Sequence, residues 1–200
     1  MNWRQWLVHP LTNGLDPADP ENFPFYEQII RQKKFLHRLY REWYGLVLTT
    51  LPSGAEPVVE LGSGAGFLKE FLPELISSDI VLNPLVRMVL DGQALPFRKG
   101  SLRAMVMVNV LHHVPQPRFL FAEAGRCCRS GGALVFIESW NTPWSRLVYS
   151  RWHHEPFDPK ASEWRFPTRG PLSGANQAMP WIKTLAMFAK IVLRRTSHST

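Results

Sequence analysis

An apolar run that ends in an acid and opens onto three alternating glycines, Val58-Val59-Glu60-Leu61-Gly62-Ser63-Gly64-Ala65-Gly66, constrains this chain more than any other feature. The run suits a parallel strand covered on both faces, and the glycines let the backbone turn sharply while a ligand approaches it closely. After Ala65, residues Phe67, Leu68, Phe71, Leu72 and Leu75 fall at spacings of three and four, which predicts a helix over 67–75 with one side against a sheet. Strand, glycine turn and helix would make half of a doubly wound unit.

Glycine turns also serve dinucleotides and phosphates. A dinucleotide fingerprint would place its third glycine at position 67, where Phe67 stands; a phosphate loop would follow Gly66 with Lys and then Ser or Thr, and neither occurs. Two acids beyond the turn narrow the choice. Asp79 comes about twenty residues after Glu60, near the end of a second expected strand, where a carboxylate can accept from both hydroxyls of a ribose. Arg87-Met88-Val89-Leu90-Asp91 is a short third strand that also ends in acid, and an acid there can accept from an adenine amino group. Singly, Asp79 and Asp91 read as solvated turn residues; in this order they form a pattern.

The segment from Arg103 to Pro115 supplies a fourth strand whose carboxyl end carries Asn109, His112 and His113, and ligands in open α/β sheets sit at such ends. A helix over 119–128 then leads to Gly131-Gly132, read as its stop, and 133–138 supplies a fifth strand. Strands alternating with crossovers predict an α/β, Rossmann-like, mainly parallel sheet of about five strands with helices on both faces.

With its "ELGSGAG", "DGQALPF", "NVLHHVPQP" and "RSGGALVFIE" segments in that order, the chain resembles the class I S-adenosylmethionine-dependent methyltransferases, in particular their small-molecule group, over about residues 55 to 140. The resemblance implies S-adenosyl-L-methionine as cofactor. It implies that Glu60, Gly62, Ser63, Gly64 and Gly66 frame the methionine end of that donor, that Asp79 binds ribose, that Asp91 takes the adenine amino group with Gly92 and Gln93 beside it, and that Asn109 borders the sulfonium. The stretch between Asp79 and Asp91 is shorter than in family members and leaves no room for a full helix. Nor does the carboxyl end match the family, whose sheet closes with two further strands. Here 181–195 reads as a basic amphipathic helix, so the strand pair is expected to be absent and the fifth strand to have an open edge.

Methyl transfer requires alignment of acceptor, methyl and sulfur and exclusion of water. An acceptor that must also lose a proton needs a base, and imidazole suits neutral pH, which makes His112 and His113 the catalytic candidates. On an extended chain the two would face opposite ways, so one of them would face the donor; a packing role for both stays open. Residues 140–158 are rich in Trp, His and Arg and read either as an acceptor pocket or as aromatic packing. His153-His154-Glu155 lacks the spacing of a zinc site, and no metal is expected.

Two hundred residues that are 45% hydrophobic suffice for one globular domain, divided into a helical segment 1–54, the donor-binding core 55–140, and an acceptor-side segment with terminal helix 141–200. Adjacent Cys127 and Cys128 lack metal-ligand spacing and read as reduced thiols, and no apolar stretch nears the roughly 20 residues of a membrane span, which gives a cytoplasmic expectation. The net charge of +7 raises nucleic acid or an anionic membrane as partners. Its basic residues are scattered, however, and Lys33, Lys34, Arg38 and Arg41 read as the wet side of one helix over 25–48, so a small-molecule acceptor is preferred to nucleic acid. Peripheral membrane contact has only a small apolar helical face behind it, and homo-oligomers stay open. The alternative function is a protein that binds the donor with little or no turnover, in a regulatory or scaffolding role.

Overall fold

The structure, a computed structural model, describes residues 19–139, a few positions before them, isolated positions at 143, 147 and 151, and the segments 157–158, 176–177 and 188–195. Two amino-terminal helices, α1 (Phe23–Gln32) and α2 (Lys34–Leu48), precede strands β1 (Val58–Leu61), β2 (Ile76–Asp79), β3 (Met88–Val89) and β4 (Leu102–Val108). Helix α3 (Pro117–Cys127) runs straight into β5 (Cys128–Ser139); the short strands β6 (Phe157–Asp158) and β7 (Asn176–Gln177) pair with each other, and β8 (Phe188–Arg194) ends the fold. The main sheet has the order β3-β2-β1-β4-β5-β8. All neighbours are parallel except β8, which runs antiparallel to β5. The fold is therefore the mainly parallel Rossmann-like α/β sheet that the sequence predicts.

Alternation along the strands divides the core. Val59, Leu61, Met105, Met107, Leu134 and Phe136 face α3 through Leu120, Ala124 and Cys127. On the other side Val58, Ala104, Val106, Val135 and Ile137 pack with Trp43, Tyr44 and Val47 of α2.

Four expectations are corrected. No α-helix forms over 67–75; a single 3-10 turn, Leu68–Glu70, stands there. Pro73 explains the loss, because its ring and missing N–H would break a helix at that point. Phe67, Leu68, Leu72 and Leu75 are nevertheless buried, in the cluster that α2 completes. The helix expected over 25–48 is broken at Lys33, whose ψ of 99° is extended, so α2 sets off in a new direction. Gly131 and Gly132 do not stop α3, which ends at Cys127; they lie inside β5, where the register jumps from Leu102↔Cys128 to Ala104↔Ala133 and Gly131 takes a φ of 73°. The extra residues of β5 form a bulge that needs glycine's freedom.

Most consequential is the carboxyl end. Residues 188–194 are a strand, not the close of an amphipathic helix, and they pair along β5 from Ala133↔Arg194 to Ser139↔Phe188. The sheet thus has six strands, and the edge of β5 expected to be open is covered. Ile191-Val192-Leu193 fits either period over so short a run, and the unpaired hydrogen-bonding groups of β5 decide in favour of the strand. Residues 181–187 of that expected helix lie outside the described residues, as does nearly all of the aromatic stretch 140–158, including His153, His154 and Glu155.

Candidate functional site

Every candidate residue lies at the carboxyl end of one of four adjacent strands. Because β1 is flanked by β2 on one side and β4 on the other, the glycine turn sits where the order of the sheet reverses, the place at which a crevice opens in such folds. Gly62 and Gly64 adopt φ of 64° and 47°. A Cβ on Gly62 would lie 2.5 Å from a methyl of Val110, so the bare glycine allows the end of β4 to close against the turn. Ser63 ties the turn to β2: its N–H donates to Ser78 O at 2.8 Å, while its Oγ accepts from the Ser78 N–H at 3.2 Å.

The acids differ sharply in environment. Glu60 is buried, and the Ser63 hydroxyl donates to it at 2.8 Å. Burial pushes its carboxyl up to about 7, against the lowering effect of the Ser63 hydrogen bond. It sits beneath the turn. Asp79 is also buried, and its Oδ2 accepts the Gly64 N–H at 3.0 Å; burial raises its carboxyl while the Gly64 amide opposes the shift. Asp91 is exposed and accepts the Gln93 N–H at 2.8 Å, a tight turn that points the carboxylate outward. Gln93 in turn accepts the N–H of Gln116 at 3.0 Å, linking this loop to the start of α3. A Cβ on Gly92 would meet Leu120 at 2.9 Å and Leu61 at 3.1 Å, so the loop lies close on the core.

At the end of β4, Asn109 is the one non-glycine residue with positive φ among those described, at 56°, and its buried Oδ1 has no hydrogen-bond partner among them. Asparagine tolerates this left-handed conformation better than most residues, and its orphaned acceptor at the strand end is available to a ligand. His112 and His113 follow in a 3-10 turn, Leu111–His113, with ring centres 4.1 Å apart, so the opposed facing expected of an extended chain does not occur. His112 is buried, and its Nδ1 lies 2.7 Å from Oε2 of Glu138.

Glu138 is a residue that motif reading passes over. From the end of β5 it accepts the N–H groups of Val110 at 2.8 Å and Leu111 at 2.6 Å through Oε1, while Oε2 faces His112. A carboxylate that serves three donors holds the 109–113 turn and selects the imidazole tautomer with its proton on Nδ1. The signal was present in the sequence: like Glu60, Asp79 and Asp91, it is an acid closing an apolar strand. Tyr44 has a comparable hidden role, its hydroxyl accepting the Phe67 N–H at 3.0 Å from α2.

Residues 59–136 match the model of a family described as a methyltransferase domain. This segment is similar to a methyltransferase domain, and the match covers less than half of the chain. Among curated proteins no sequence matches the chain. Similar solved structures include the YcgJ protein of Bacillus subtilis, 19% identical over 50% of this chain and 51% of that one with a TM-score of 0.44. Geranyl diphosphate C-methyltransferase of Streptomyces coelicolor, solved with Mg2+, geranyl diphosphate and S-adenosyl-L-homocysteine, is 18% identical over 72% and 64% of the two chains, with a TM-score of 0.49. A SAM-dependent methyltransferase of Thermotoga maritima is 19% identical over 66% and 68%, with a TM-score of 0.48. The chain spans about half the length of the first of these and about two thirds of the others.

No group of three metal-ligating side chains occurs among the described residues, where both cysteines are free and buried. Burial pushes the Cys128 thiol up to about 11, away from thiolate chemistry. No described helix is long and apolar enough to cross a membrane.

Proposed function

We propose that the chain binds S-adenosyl-L-methionine at the end of β1 and transfers its methyl group to a small-molecule acceptor by in-line displacement. The observation that carries this reading is Asn109: a residue in the left-handed conformation with a buried acceptor that has no partner among the described residues, at the end of β4 and beside the glycine turn of a segment similar to a methyltransferase domain. The residues present fit the donor. Gly62, Ser63, Gly64 and Gly66 would cradle its methionine end, and Asn109 would border the sulfonium. The exposed Asp91 would accept from the adenine amino group with Gly92 and Gln93 beside it. Asp79 would serve the ribose with the acceptor capacity left after Gly64, and Glu60 would support the turn from below. When bound, the donor supplies an activated methyl on a good leaving group.

The chain's own part is then to orient, to exclude water and to handle a proton. With Nδ1–H donated to Glu138, His112 has its basic nitrogen at Nε2, the tautomer required of a general base toward an acceptor hydroxyl or amine. His113, ring against ring with it, is the second candidate. A small acceptor is favoured over nucleic acid because the ionisable side chains described at the strand ends, Glu60, Asp79, Asp91, Glu138, His112 and His113, are acids and histidines rather than a run of cations.

Calorimetric titration with S-adenosylmethionine and S-adenosylhomocysteine, with NAD as control, tests the reading. Saturable binding of the first two and none of NAD is expected. Asp91→Ala should weaken donor binding by about 1–3 kcal/mol; unchanged affinity would remove Asp91 from the site. Binding without turnover across an acceptor screen would turn the assignment to a donor-binding protein of little or no activity.

A further inference from the structure

The break at Lys33 produces a second concavity, apart from the strand ends. Lys34, His37, Arg38 and Arg41 recur at spacings of three and four along one face of α2, and Arg31 of α1 faces them across a cleft of about 400 Å³, a volume within the range of small-ligand pockets. Glu42 is the one acid in its lining. The cleft is shallow and open to solvent, with Lys34, Arg38 and Arg41 exposed along it and Arg31 on its far side.

Two of the cations are already committed, and two are not. Arg31 pairs with Glu27 at 2.6 Å and with Glu70, and its guanidinium lies 4.7 Å from the ring centre of Phe67. Arg38 pairs with Glu42 at 2.9 Å. Lys34 and Arg41 have no ion pair among the described residues, and Arg41 is placed 5.9 Å from the centre of the Phe71 ring. The cleft also adjoins the amino end of α2, whose first turn contains no acid and whose Lys33 cap makes no side-chain hydrogen bond. Basic groups at that end add to the positive pole of the helix instead of offsetting it. An anion in the cleft would relieve both.

We propose that this cleft binds a small molecule through a phosphate or diphosphate group. Phosphate offers the acceptor oxygens that a lysine, an arginine and the helix amides can share, and the ring contacts hold the guanidinium groups of Arg31 and Arg41 in place before the ligand arrives.

Inorganic pyrophosphate titrated into the full chain by calorimetry is the test. Saturable binding is expected, weakened at least tenfold in the Lys34→Ala/Arg41→Ala double variant and in Lys34→Glu. These side chains are exposed, so the variants should melt with the parent and bind S-adenosylhomocysteine as it does, which keeps the result separate from the donor site. No saturable binding to the parent, or equal affinity in both variants, overturns the proposal. Cosedimentation with phosphatidylcholine vesicles carrying phosphatidate distinguishes the source of the phosphate. A free ligand predicts no retention, whereas retention on vesicles without pyrophosphate binding would overturn the assignment to a small molecule.

Discussion

Glu60 is a buried acid whose ionisation is shifted upward, and its stability effect has a definite sign. The folded carboxyl is raised to about 7 from 4.5, so the folded state holds a proton that the unfolded chain gives up, and stability falls as the pH rises between those values. Below about 4.5 both states are protonated; above about 7 the loss is complete, at about 3 kcal/mol. Glu60→Gln keeps an acceptor for the Ser63 hydroxyl without the charge. It should leave the denaturation midpoint unchanged near pH 4.5 and raise it at pH 8, which urea titrations at the two values will show. Glu138 gives the opposite kind of case, a carboxylate with three donors. Glu138→Gln turns one acceptor into a donor facing His112 and disturbs the imidazole tautomer. If His112 acts as base, this variant and His112→Gln should each lower kcat by about 10²-fold or more and leave donor affinity within twofold, with the double variant no worse than either. A kcat equal to the parent's in all three variants would assign both residues to packing. Much of this scale is legible in the sequence, since acids that close apolar strands announce themselves by position. Which acid is buried beneath the turn and which faces water depends on partners such as Ser63 and Gln93 that only the fold brings together.

Between elements, the bond from Phe67 N–H to the Tyr44 hydroxyl joins α2 to the segment leaving the glycine turn. Both residues are buried, so Tyr44→Phe would strand an amide without water and should cost about 1–3 kcal/mol in chemical denaturation. A Cβ on Gly66 would come within 2.7 Å of the same hydroxyl, so the glycine there makes room for α2 as well as for a ligand. The missing helix over 67–75 belongs to the same scale. Its apolar spacing was real and its burial is real, but Pro73 forbids the helix and α2 takes the face of the sheet that the helix would have covered. Periodicity alone reads the burial correctly and the backbone incorrectly, because a half-buried irregular segment beside a helix can carry the same pattern.

At the scale of the whole molecule, β8 decides whether the sheet is closed. Its pairing leaves β5 with a neighbour on each side, β4 and β8. Arg195 secures the end: its N–H donates to Gly132 O at 3.0 Å and its guanidinium to Cys128 O at 2.5 Å. A chain stopped after residue 187 should melt at least about 5 °C lower and scatter light on standing, as an uncovered edge recruits other chains; an unchanged melt would show that β8 adds nothing. The strand was hidden in the sequence because seven residues suit either period, and the deciding partner lies about fifty to sixty residues upstream in β5. The junction of α3 with β5 leaves the chain no slack. Cys127 is the last residue of the helix and Cys128 the first of the strand, both against the core. An inserted residue between the two buried cysteines would have to shift the end of the helix or pass into the bulge that follows Cys128, whereas the surface turn between β2 and β3, where Leu82 is exposed, has room to lengthen. Grafted tags or reporters therefore belong beside Leu82 rather than at the α3–β5 elbow, where Cys127 and Cys128 both stand against the core.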